Sequence, residues 1–282
     1  MYYIYNINMS LKKITDKLSY VVLSSKMNKG IRLVDTMPRM VEHDSIGLDS
    51  AVVQAARVSY GKGTKKVNDD KNLISYLMQH KHTTPFEMVE FKFHVKAPIF
   101  ITRQWMRHRT GTFNEISGRY SELKSEWYIP DVVREQSVNN KQGSGMPIVS
   151  SYWEEYMDGC AIQNDCYNNL IKEGVSKEIS RIGLPQNMYT EFYWKVNLHN
   201  LLHFLKLRSH PSAQLEIREY ADEIKNIIQP LCPTSVEAFD EHVTNSITLS
   251  ASEVNAIRKM KLFKGTTRQV EEYKNKLDIL RL

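Results

Sequence analysis

The sequence predicts an α+β protein with a helical C-terminal end, and three observations predict it. Residues 89–96 (Val-Glu-Phe-Lys-Phe-His-Val-Lys) and 189–196 (Tyr-Thr-Glu-Phe-Tyr-Trp-Lys-Val) alternate apolar and polar side chains, the period of strands with one buried face. Each runs straight into a stretch with apolar residues at helical spacing. The last fifty residues read as helical and basic.

The 282 residues allow one large or two ordinary domains, and a single domain of this size buries about three quarters of its unfolded surface. Hydrophobic residues at 41% and charged residues at 25% place the chain among ordinary globular proteins. A net charge of +6 favours an anionic partner, either nucleic acid or small phosphorylated ligands, and charge does not separate these. Cys160, Cys166 and Cys232 are odd in number and lack close pairing, which gives neither a disulfide framework nor a zinc ribbon. The N-terminus lacks a signal-peptide pattern, and no apolar run reaches the eighteen or so residues that a membrane span needs, so the expected setting is cytoplasmic.

Residues 1–30 read as an extension with at most a frayed strand. Folded structure is expected from Ile31. Residues 49–58 form a helix with Ala51, Val52, Ala55 and Ala56 on its apolar side and Asp49 or Ser50 as its cap. The Gly- and Lys-rich stretch 61–69 is a loop without the ending of a phosphate-binding P-loop. Residues 73–78 form a short helix, and His80 and His82 follow without a carboxylate to complete a metal ligand set. Pro98 suits the first turn of a helix through Ile99, Phe100 and Trp105. Residues 126–130 read as the start of a second strand, and 134–147 as a mobile loop. A helix over 152–171 and a short one over 177–184, capped by Ser176, precede the strand at 189–196. The helix over 197–208 has Leu198, Leu201, Leu202 and Leu205 on its apolar side. It also carries His199 and His203 at i, i+4, but Asn200 stands where a zinc protease needs glutamate.

Chemistry concentrates in residues 104–121, Gln-Trp-Met-Arg-His-Arg-Thr-Gly-Thr-Phe-Asn-Glu-Ile-Ser-Gly-Arg-Tyr-Ser. Arg107, Arg109 and Arg119 surround one carboxylate, Glu115, and repel one another unless an anion neutralises them. Guanidinium forks suit phosphate oxygens. With so little apolar content the stretch is not expected in the core, and Gly111 and Gly118 are expected to let it bend.

The string Arg107-His-Arg109, seven residues, then Ser117, within Gln-Trp-Met-Arg-His-Arg and Asn-Glu-Ile-Ser-Gly-Arg-Tyr, resembles the signature of the flavin-dependent thymidylate synthases. The segments Ala55-Ala-Arg-Val-Ser59, His82-Thr-Thr-Pro-Phe-Glu87 and Leu207-Arg208 followed by Ala213-Gln-Leu-Glu-Ile217 resemble further elements of that family, over about residues 31–239. Met88, His199 and Ser212 stand where relatives often carry histidine, arginine and histidine.

The resemblance implies a mixed, largely antiparallel sheet flanked by helices, a family domain over 31–240 and a basic helical extension over 241–282. It implies reductive methylation of dUMP to dTMP with FAD bound and with NADPH and methylenetetrahydrofolate as co-substrates. It implies a homotetramer with shared active sites, without membrane or nucleic-acid partners. For dUMP the implied residues are Gln104, Arg107, Glu115, Ser117, Gly118, Arg119, Arg181 and Arg208. For FAD they are Ser59, His82, Thr84, Glu87, Arg107, His108, Arg109, Glu115, Asn197, His199 and His203, and no metal is implied. Arg208 is implied as the catalytic residue. A charged guanidinium is no base near neutral pH, so its role there is to donate to the uracil carbonyl. A relative with a different one-carbon outcome stays open, because of His199 and Ser212.

Overall fold

The computed structural model describes residues 21–22, 30–38, 47–60, 70–138, 140–258 and 267–280. Most of the expected 1–30 extension, the loop at 61–69, and Lys259, Lys261 and Lys264 lie outside them.

The strands are β1 (Val21–Val22), β2 (Gly30–Met37), β3 (Glu90–Pro98), β4 (Thr112–Glu115), β5 (Arg134–Gln136), β6 (Ser144–Pro147) and β7 (Tyr189–Asn197). Five form one sheet in the order β1-β2-β3-β7-β4, antiparallel at every pairing. Period 2 explains its two faces. Phe91, Phe93, Val95 and Ala97 of β3 are fully buried, and Phe192, Trp194 and Val196 of β7 nearly so. The intervening residues form a polar face on which Lys195 contacts Glu90 at 3.1 Å and His94 stacks on Tyr193.

The helices are α1 (Gly47–Arg57), α2 (Asp70–Gln79), α3 (Thr84–Glu87), α4 (Ile99–Trp105), α5 (Trp153–Lys172), α6 (Lys177–Ser180), α7 (Leu198–Arg208), α8 (Leu215–Ile228), α9 (Pro233–Phe239), α10 (Ala251–Arg258) and α11 (Thr267–Leu280). A single π-turn, Asp240–Thr244, follows α9. No helix among the described residues is long and apolar enough to cross a membrane.

Two strand-to-helix junctions position the expected site residues. At β3–α4, Pro98 is the last strand residue and the extended N-cap of the helix (φ −61°, ψ 144°), not part of its first turn. At β7–α7, Asn197 caps the helix, its Oδ1 accepting from the Asn200 amide at 2.9 Å.

Besides Pro98, four expectations are corrected. Trp105, in the polar 104–121 stretch, is a fully buried core side chain, with ring centroids 4.9 Å from Phe204, 5.3 Å from Trp194 and 5.6 Å from Phe192 and Tyr220. Burying an indole of this kind stabilises by roughly 4–6 kcal/mol before the cost of its Nε1, which has no hydrogen-bond partner among the described residues. Residues 126–130 give one isolated bridge, Trp127 to Met188, instead of a strand. Residues 134–147 form the β5–β6 hairpin, because Gln136 Nε2 reaches across to the Gly143 carbonyl at 2.9 Å and Arg134 is anchored on α8. Asp49 and Ser50 do not cap their own helix. The Asp49 carboxylate takes the Thr234 and Ser235 amides of α9 at 2.7 and 2.9 Å. Gly111 stands at a bend and Gly118 in a turn, as expected, and both also permit close packing: a Cβ on Gly111 would stand 2.3 Å from Trp194 Nε1, and one on Gly118 3.1 Å from Arg181 Cδ.

Candidate functional site

The expected site residues separate into three groups, placed by α4, β4 and α7. The first lies where the C-terminal ends of α4 and α7 meet. Arg208 donates from Nε to His108 Nε2 at 3.0 Å and from Nη2 to the Gln104 carbonyl at 3.1 Å. Gln104 Nε2 in turn donates to Gln214 Oε1, just before α8. Because a guanidinium only donates, His108 Nε2 carries the lone pair and the ring proton resides on Nδ1. Burial, then the Arg208 charge and His203, push the His108 imidazole down to about 4, so it is neutral at pH 7. Burial also lowers the Arg208 pKa from its ordinary value. Two of the three guanidinium nitrogens are thus held, and Nη1 has no partner among the described residues.

The second group surrounds a cavity of about 290 Å³ lined by Glu115, Ser117, Gly118, Arg181 and Thr190, with Ile99 at the start of α4. Glu115 does not gather the arginines around it. β4 pairs with β7 and carries Glu115 opposite Phe192, where its Oε1 accepts from Thr190 Oγ1 at 2.7 Å. Arg119 reaches Glu178 at 3.3 Å in an exposed pair. Arg107 and Arg109 are exposed and make no ion pair among the described residues. The two groups are thus set at opposite ends of α4, about 8 Å apart along its axis.

The third group is a groove of about 200 Å³ between α2, α3 and α7, with Leu77, Phe86 and Leu202 on its floor and His82, His199 and His203 at its rim. Lys81, in the left-handed region at φ 58°, ends α2 by letting the His82 amide bond the Leu77 carbonyl at 2.9 Å, which delivers His82 to the rim. Burial lowers the His203 pKa, with His199 next in effect. Ser59 and Thr84 are exposed and Glu87 half-buried, and none of them lines the groove. The Asn197 side chain is engaged in capping. No group of three or more metal-ligating side chains occurs among the described residues.

The residues fit a flavin in part. An apolar floor with imidazoles at its edge suits a planar ring system with polar edges. A groove of 200 Å³ is smaller than the roughly 300–1,000 Å³ of sites that enclose a whole ligand of this size, so it accounts for one portion of the cofactor.

Three contributors went unrecognised in the sequence. Glu216 accepts from Arg134 Nη2 at 2.6 Å and from Tyr128 Oη at 2.9 Å, fixing the hairpin to the first turn of α8. Burial alone raises its pKa, but bonds from its own backbone amide, Arg134 and Tyr128 carry it below the ordinary value. Gln214 and Glu216 both stand in the Ala-Gln-Leu-Glu-Ile segment, so a signal was present. Thr190, the partner of Glu115, carried none.

Residues 39–234 match the family described as thymidylate synthase complementing protein. The flavin-dependent thymidylate synthase of Dictyostelium discoideum is 47% identical over 256 residues, covering 89% of this chain and 84% of that protein. That of Thermus thermophilus is 51% identical over 236 residues, covering 82% and 83%. Among solved structures, the UMP/dUMP methylase PolB of Streptomyces cacaoi bound with 5-Br dUMP superposes with a TM-score of 0.67 at 30% identity, over 77% of this chain and 97% of that one.

Proposed function

This chain belongs to the flavin-dependent thymidylate synthase family, and from that membership we propose how its three groups divide the methylation of dUMP. The observation that carries the reading is the bonding of Arg208 to both His108 and the Gln104 carbonyl. It joins two motif segments a hundred residues apart and leaves Nη1 to donate.

Arg208 Nη1 donates to a uracil carbonyl and stabilises the charge that develops there as C5 forms its new bond. Neutral His108 holds the guanidinium plane while adding no second positive charge. The Arg181 side chain, the Ser117 hydroxyl and Arg119 bind the nucleotide phosphate, and a ligand anion replaces the weak Arg119–Glu178 pair. His82, His199 and His203 hold the flavin ring edge, and Arg107 and Arg109 take the diphosphate of FAD. Bound FAD supplies the reducing chemistry, with NADPH as reductant and methylenetetrahydrofolate as the carbon source. The proposal keeps the homotetramer with shared active sites that family membership suggests, each site drawing on groups from neighbouring subunits.

The test compares the visible spectrum, NADPH oxidation and dTMP formation, measured by mass, of the wild type and Arg208→Ala. The expected result is flavin absorption and NADPH oxidation retained, with dTMP formation lowered about 10²–10³-fold. Equal loss of oxidation and product would overturn the placement of Arg208.

A further inference from the structure

The β5–β6 hairpin belongs to none of the three groups, yet it is tied to the rest of the chain at two points that flank Gln214. Its base is held on α8, where Arg134 Nη2 donates to Glu216 Oε1 at 2.6 Å. Its tip reaches the linker between α7 and α8: Asn140 Nδ2 donates to the Ser212 carbonyl at 3.3 Å, across 72 residues of chain. A two-stranded hairpin is marginal in water on its own, so these anchors decide where it stands.

The tip is built around the Asn140 side chain. Its Oδ1 accepts from the Gln142 amide at 3.1 Å, and the Asn140 backbone N–H donates to Ser137 Oγ at 3.2 Å. Gln136 Nε2 folds in beneath, donating to the Lys141 and Gly143 carbonyls at 3.1 and 2.9 Å. A Cβ on Gly143 would stand 2.7 Å from Asn140 Nδ2, so glycine there leaves the amide room to reach Ser212. One end of this amide therefore closes the hairpin, and the other holds the linker.

The linker, residues 209–214, leads to the organised arginine. The Ala213 amide bonds the His210 carbonyl at 2.8 Å, and the Ser212 amide donates to His210 Nδ1 at 3.1 Å. Pro211 and Ser212 are exposed, so hydrogen bonds rather than packing set its course. Gln214 Oε1 accepts from Gln104 Nε2, and the Gln104 carbonyl accepts from Arg208 Nη2 at 3.1 Å.

We propose that Asn140 is a positioning residue for thymidylate formation: through the Ser212 carbonyl it sets the linker, and through Gln214 and Gln104 the linker sets the aim of Arg208. The inference rests on the reading of Arg208 as the donor to uracil and adds the residue, remote in sequence, that keeps it aimed. A misplacement of about 1 Å in a catalytic group costs up to about a hundredfold in rate, and the loss of a single hydrogen bond behind it limits the effect to about tenfold.

The test uses flavin-loaded full-length protein and Asn140→Asp. The substitution is isosteric, keeps the acceptor for the Gln142 amide and sets a carboxylate oxygen, which only accepts, against the Ser212 carbonyl. The kcat for dTMP, followed by mass, is expected to fall about tenfold while the KM for dUMP stays within about twofold. Flavin content, NADPH oxidation and cleavage of the hairpin by protease should stay at wild-type values. Because both changes release the same linker, Gln214→Ala should add little to Asn140→Asp. A kcat within about twofold of the wild type overturns the proposal, as do fully multiplicative losses in the double variant. Faster cleavage of the hairpin overturns it as well, since the amide would then serve the hairpin alone, and so does a raised KM for dUMP at unchanged kcat. Equal loss of oxidation and product in Arg208→Ala overturns instead the reading of Arg208 on which the proposal rests.

Discussion

The two ends of α4 solve the same problem, placing cations for an anionic ligand, in opposite ways. At the C-terminal end Arg208 is half-buried, and its orientation is fixed by His108 and the Gln104 carbonyl, with Gln214 behind. At the N-terminal end Arg181 and Arg119 are exposed, and the ion pair of Arg119 with Glu178 is solvated on both sides. The Arg208 end is held by the chain's own hydrogen bonds, whereas the arginines of the second end are not fixed in this way. Electrostatic stabilisation of a transition state needs donors already aimed, whereas a phosphate grip tolerates side chains that close on contact. This difference is the basis on which we propose the chemistry for Arg208 and the grip for the second end.

The largest effect expected comes from the support of the organised end. Glu216→Ala removes the acceptor shared by Arg134 and Tyr128 and leaves a mostly buried guanidinium and a buried phenol without their partner. Breaking a buried pair from one side costs about 3 kcal/mol. Urea unfolding should show that loss, and limited proteolysis should find the 134–147 hairpin newly cleaved. A change under about 1 kcal/mol would mean that the hairpin is held by something other than this carboxylate.

That hairpin also shows where the sequence was hard to read. The alternation in β3 and β7 was legible because one face is buried over its whole length, and burial imposes a period. Residues 134–147 are half-buried at best, carry Gly, Ser, Asn and Gln, and owe their pairing to a partner 82 residues away in sequence, which no local pattern records. Trp105 was misread for the converse reason. Ile101 and Thr102 share its buried face, but the helix is only seven residues long and runs into a cluster of arginines, so its apolar stripe is too short to stand out. The site motifs were legible because chemistry demands residue types, but Thr190 is an ordinary strand threonine until β4 brings Glu115 beside it.

The second effect is a pH dependence. The His108 imidazole is held down to about 4 by burial, the Arg208 charge and His203, against an ordinary value of 6.5. In the window from 6.5 down to about 4 the unfolded chain binds a proton that the folded one refuses. Stability is therefore full above 6.5 and falls as pH drops through that window. Protonated His108 also no longer accepts from Arg208 Nε, so dTMP formation should fall with an apparent pKa near 4. His108→Gln, whose side-chain oxygen restores an acceptor that does not titrate, should flatten that limb. An acid limb centred at 6.5 would show that His108 is not held neutral and that the organised end is looser than its geometry implies.

The smallest effect probes the open end. Thr190→Val keeps the β-branched shape that suits β7 and deletes only the hydroxyl that donates to Glu115 at 2.7 Å. Thr190 is buried but Glu115 is exposed, so water replaces the lost donor. The expected cost is about 1 kcal/mol, or about 2 °C in Tm for a chain of this size. If ligand binding organises this end, the affinity for dUMP should change by less than about threefold, because the carboxylate reorients when the nucleotide arrives. A loss as deep as that of Arg208→Ala would show that the second end is as pre-aimed as the first. The assignment of chemistry to one end and grip to the other would then lose its physical basis.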